Sequence, residues 1–149
     1  MNKKEIIQKL TDKNNKKAYE YAKKISIEST KSNKYLDLVP DFVNMLQDKS
    51  SYIRTRFFIL ICFQARWMND KQIKKIYKQM EVLLYDSKAT VVRQCLKALH
   101  EVVLFRPKMC KLIKETIIKI DISIFKDSMV PLIKKDIDEL IQIVENNNI

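Results

Sequence analysis

The chain of 149 residues contains no glycine, one histidine and three prolines. Each shortage removes a class of chemistry. Without glycine there is no phosphate-cradling loop, no dinucleotide fingerprint and no glycine-based hairpin turn. A single histidine leaves triad and metal chemistry without their commonest base and ligand. The longest apolar run, Phe57–Phe63, has seven residues, and a bilayer needs about 20. The charged start, Met1-Asn2-Lys3-Lys4-Glu5, has no apolar export core. Cys62, Cys95 and Cys110 are odd in number and widely spaced, which implies neither a disulfide framework nor a paired-cysteine metal site. They read as small buried hydrophobes in a reduced, cytoplasmic protein. The sequence calls for no cofactor, no metal, no membrane and no catalytic residue.

What is present is helical. The hydrophobic fraction is 46%, enough for one packed domain over residues 1–149. Apolar residues recur at helical spacing almost throughout. The pattern predicts eight helices, over 3–10, 14–30, 35–47, 51–66, 70–85, 88–105, 107–119 and 128–145. Pro40 either opens or kinks the third, and Pro107 suits the first turn of the seventh. Ser50 or Ser51, Asn69 or Asp70, and Asp127 or Ser128 are the expected caps of the fourth, fifth and eighth. Ile118–Ile124 alternates like a strand. A lone strand is unstable, so a helix end followed by a loop or short turn over 121–127 is expected.

Internal repetition decides between a bundle and a stack. Residues 53–63 lie over 92–102, so that Ile53, Arg54, Phe57, Leu60 and Phe63 fall on Val92, Arg93, Leu96, Leu99 and Val102. Ala18, Tyr21 and Ala22 give a weaker echo. Each unit reads as a helix, an Asp-bearing turn (Asp12, Asp48, Asp86) and a second helix. The Asp is expected to cap the turn, and the Arg opening the second helix to tie neighbouring turns together. Phe57–Phe63 is apolar on every face, so it needs cover all round, as the middle of a stack provides. The expected fold is all-α, an α-α superhelix or HEAT-like solenoid of about four helical hairpins.

Four segments carry a resemblance: Ser51-Tyr52-Ile53-Arg54-Thr55-Arg56, Ala65-Arg66-Trp67, Arg93-Gln94-Cys95-Leu96-Lys97-Ala98-Leu99, and residues 126–137 from Lys126-Asp127-Ser128 onward. Together they resemble small bacterial HEAT-repeat proteins of the armadillo-like, PBS-lyase type. Some of these carry a SufB/SufD-like label from iron–sulfur cluster assembly. Those scaffolds resemble β-helices, whereas this chain has no glycine and little strand pattern. The architecture is also similar to HEAT-like DNA glycosylases that remove alkylated bases. This chain is shorter and shows no match to their active-site motif.

Charge is unevenly placed. The formal net charge is +11, and residues 51–106 hold 11 basic and 4 acidic side chains, including all five arginines. Residues 107–149 are neutral. Arg93, Lys97 and His100 share one helical stripe, and Arg54 occupies the place of Arg93 one repeat earlier. Arg54, Arg93 and Lys97, with Arg56, Gln94 and Lys126, are candidate contacts on a basic concave surface for a nucleic-acid backbone or an acidic protein partner. Arg54 and Arg93 also fit a purely structural position. Trp67 either stacks on a ligand or packs between repeats. His100-Glu101 lacks the second histidine of a zinc helix. Asp127 and Asp136 read as a cap and a surface charge rather than paired catalytic acids. The leading expectation is a non-enzymatic binding module. A base-excision enzyme, with Asp127, Trp67 and Arg93 converging, is the alternative. A scaffold acting through exposed apolar surface is the third.

Overall fold

The computed structural model describes residues 2–147; the outermost three positions of the expected 1–149 domain lie outside them. It is all-α. The helices are α1 (Lys3–Leu10), α2 (Asn15–Ser29), α3 (Val39–Asn44), α4 (Ser51–Gln64), α5 (Asp70–Glu81), α6 (Ala89–Phe105), α7 (Cys110–Ile117) and α8 (Val130–Asn147). Consecutive helices make antiparallel contacts. α1 packs on α2, α3 on α4, the turn closing α5 on α6, and α7 on α8; α2, α4, α6 and α8 also pack successively on one another.

The absence of glycine shapes every helix end. Left-handed caps are usually glycine, and no described residue has a positive φ. Instead α3, α4 and α5 tighten into 3-10 turns over Met45–Gln47, Ala65–Trp67 and Val82–Tyr85. Each then leaves through one extended residue, Asp48, Met68 or Asp86. At the helix starts, Asn14 and Ser50 accept from the amides of Lys17 and Ile53. Asn69 and Gln72 form a reciprocal capping box on α5. Pro40 opens the helix proper rather than kinking it.

The aspartates close the turns as expected. Asp12, Asp48 and Asp86 accept the amides of Asn14, Ser50 and Lys88 at 2.8, 2.9 and 2.9 Å. Each is a side-chain mimic of a backbone turn. Asp121 does the same for Ser123 at 3.0 Å. That bond sets a 3-10 turn over Ile122–Ile124 where the sequence alternates like a strand. Ile120 and Phe125 are buried there while Ile118 and Ile124 are exposed. The expected cap of α8 is not used. The helix begins at Val130, and the Lys126 carbonyl accepts from the Met129 and Val130 amides, so Asp127 and Ser128 lie in the preceding turn.

One continuous core runs through all the helices. Phe57, Phe58, Leu60, Ile61 and Cys62 of α4 are fully covered. The expectation of cover on every side fails on one side of α4. Ile59 and Phe63, one helical turn apart, are half-buried, and both line an open cavity. The three cysteines are free and buried. Burial pushes the Cys62 and Cys95 thiols well above their ordinary range and raises Cys110 as well. A thiol reagent at mildly alkaline pH is therefore expected to label no cysteine in the folded protein and all of them in denaturant. Labelling of a native thiol would place that cysteine at the surface.

Candidate functional site

The cavity that Ile59 and Phe63 border has a volume of about 850 Å³. Three helices build it: α2 along its length from Asn15 to Ile27, α4 along its length from Ser51 to Phe63, and α6 from its start, with Lys88, Thr90 and Val91. The helix starts therefore bring three partial positive charges to one edge. α2 and α4 have side-chain caps, whereas α6 has none.

The floor is apolar. Ile59, Leu60 and Phe63 supply it from α4, Ala22 from α2 and Val91 from α6, with Ile27 exposed at the rim. Ala22 and Ser26 are small, which leaves room above α2. Two tyrosines stand at the margin, Tyr19 at 61% and Tyr52 at 65% exposure.

Among the described residues, four cations line the cavity, Lys16, Lys23, Arg56 and Lys88, and no carboxylate does. Lys88 donates to the Ser51 hydroxyl at 3.2 Å. Arg56 is 8% exposed and donates to the Leu10 carbonyl at 2.8 Å, closing the end of α1. Burial draws its guanidinium below the usual range. Arginine nonetheless keeps its charge in proteins.

The other four arginines are all matched to carboxylates. Arg54 donates to the Asp48 and Lys49 carbonyls at 3.0 and 3.1 Å and pairs with Asp86 at 2.8 Å. It thus ties the turn before α4 to the turn before α6, as the repeat predicts. Arg93 donates through Nε to Asp136 of α8 at 2.6 Å, and this bond holds its guanidinium above the usual range. Asp136 is therefore a buried partner, not the surface charge expected from the sequence. Arg66 pairs with Glu101 at 2.6 Å and stacks over the Phe105 ring at 4.3 Å. Arg106 reaches Asp70 at 4.0 Å.

Of the residues singled out from sequence, Arg56 and Gln94 line the cavity. Arg54 and Arg93 are in ion pairs and do not line it. Lys97 and Lys126 are exposed and outside its lining. Trp67 is 36% exposed and donates its indole N–H to the Ser29 carbonyl at 2.7 Å, closing the end of α2. The adjacent Gln64 donates to the Ser29 hydroxyl at 2.7 Å. Arg93 faces α8 near the start of α6, whereas Trp67 follows the end of α4 against α2, so the two do not converge. His100 lines a shallower cleft against Pro131, Lys134 and Lys135 of α8.

Lys16, Tyr19, Lys23, Tyr52 and Lys88 are the lining residues that the sequence reading passed over. The usable clue was α4 itself. A helix apolar on every face has one face more than its neighbours cover.

Among the described residues, no helix is long and apolar enough to cross a membrane. Comparison with protein families, with curated proteins and with solved structures finds no match.

Proposed function

We propose that this protein is a HEAT-like α-α superhelix of about four helical hairpins. In this reading it is a non-enzymatic binding module that holds an anionic ligand on a concave face formed by α2, α4 and α6. The packing order supports the first part, since α1, α3 and α7 each pair with the next helix, the turn closing α5 packs on α6, and the even helices follow one another. The recurring Asp turns and the Arg54 tie give the spacing a physical cause.

The binding role rests on one observation: a cavity lined, among the described residues, by four cations and no carboxylate, in a molecule that matches its other four arginines with acids. Like charges gathered without counter-charges repel, and an anion relieves that repulsion. The ligand classes that fit are an acidic protein and a nucleic-acid backbone. The enzyme alternative gains nothing from the geometry, because Arg93 and Trp67 are directed to different neighbours.

The test is charge reversal with a matched control. Lys16→Glu/Lys23→Glu/Lys88→Glu is expected to weaken binding to polyglutamate and to single-stranded DNA at least tenfold at about 50 mM salt. Lys71→Glu/Lys74→Glu/Lys75→Glu changes the net charge equally on the exposed face of α5 and is expected to retain most of the affinity. Equal loss in both variants would reduce the cavity to a share of the overall charge and remove this reading.

A further inference from the structure

We infer that the occupant of this cavity is an acidic amphipathic helix of a partner protein. It would lie across α2, α4 and α6 with its apolar side on Ile59 and Phe63. Its carboxylates would face Lys16, Lys23 and Lys88. The inference rests on the anionic-ligand reading and narrows it.

The floor argues for it first. A phosphate backbone needs cations and hydrogen-bond donors, and gains little from Ile59, Phe63 and Val91. An apolar groove with a basic rim fits a helix that is apolar on one side and acidic on the other. The choice of cation points the same way. Arginine is the residue suited to bidentate phosphate recognition, and here Arg54, Arg66, Arg93 and Arg106 are occupied by internal carboxylates. Three of the four cations on the cavity are lysines.

Dimensions follow from the packing. Packed helices lie about 8–10 Å apart, so the faces of three successive helices extend about 20 Å. At a rise of 1.5 Å per residue, about 13 residues of a partner helix cover that distance. Lys16 and Lys23 are seven residues apart, two turns along one face of α2. Lys88 stands across the cavity at the start of α6, where the Asp86 carboxylate already accepts the Lys88 amide. A carboxylate arriving there would meet the Lys88 ammonium group. Tyr19 and Tyr52, exposed at the margin, offer rings that can close over the apolar side of the guest at little conformational cost.

The test uses the full chain and defined probes, read by fluorescence anisotropy. The main probe is a labelled helical peptide of about 13 residues, with leucines on one face and glutamates on the other. A peptide of the same composition with its leucines scattered, a version with lysine for glutamate, and single-stranded DNA of equal length serve as comparisons. The acidic amphipathic peptide is expected to bind roughly tenfold or more tighter than each of them. Tyr52→Ala, at an exposed position that leaves the core intact, is expected to weaken it about threefold to tenfold. Lys23→Glu/Lys88→Glu is expected to shift the preference toward the lysine peptide. Equal binding of the scattered peptide would overturn the inference, because the apolar floor would then play no part. Tighter binding of DNA would overturn it while leaving the anionic-ligand reading in place. Failure of every anionic probe would remove both.

Discussion

Phe57→Ala is expected to lower the stability of the fold by about 4 kcal/mol, read as a drop of roughly 2 M in the urea midpoint. The side chain is fully buried, and its ring lies 5.5 Å from that of Phe42, tilted by 56°. The substitution therefore loses transfer energy, leaves a cavity between α3 and α4, and removes an aromatic pair worth about 1 kcal/mol. Domains of this size are stable by only about 5–15 kcal/mol, so the loss is a large share of the total. Phe63→Ala removes the same atoms two turns along the same helix. Because Phe63 faces the open cavity, the expected cost is about 1 kcal/mol, since water already reaches the ring. The difference between the two variants measures how one-sided the cover of α4 is. Equal losses would mean that the face carrying Ile59 and Phe63 is packed after all, and the groove would close.

Arg93→Met is expected to cost about 3–5 kcal/mol, because it strands the Asp136 carboxylate without its partner. The bond is short, 2.6 Å, and Asp136 has only 4% of its side chain exposed. Arg93 is more open, at 26%, so the damage comes mostly from the acid left behind. Replacing both residues, Arg93→Met with Asp136→Leu, is expected to recover most of the loss and to come within about 1 kcal/mol of the parent chain. Urea unfolding of the two single variants and the double variant gives the coupling directly. Additive costs would show that the pair does not join α6 to α8.

Much of the fold is readable from the chain because local rules agree with one another. Asn69 and Gln72 announce the start of α5 by their spacing, Ser50 that of α4, and the Asp turns recur where apolar periods change phase. Arg54 is readable too, since its partner Asp86 belongs to the next Asp-bearing turn along the chain. Arg93 is not. It occupies the same place in its own unit, but its partner Asp136 lies inside α8, and that choice depends on how two helices slide against each other. The start of α8 is missed for a related reason: the Lys126 carbonyl closes the turn that Asp127 and Ser128 were expected to cap. The cavity is not legible in the sequence. Its cations are mostly lysines scattered over three helices, and only packing brings Lys16, Lys23 and Lys88 around one space.

The right-handed backbone throughout the described residues bears on the denatured chain as well. An average protein of this length would carry about ten glycines. Each glycine widens the set of disordered conformations that ordering must discard, by about 0.4–1 kcal/mol relative to alanine. Having none, this chain begins folding from a narrower ensemble, by several kcal/mol in total on that scale. Part of what keeps it folded therefore lies in how little disorder it has to give up.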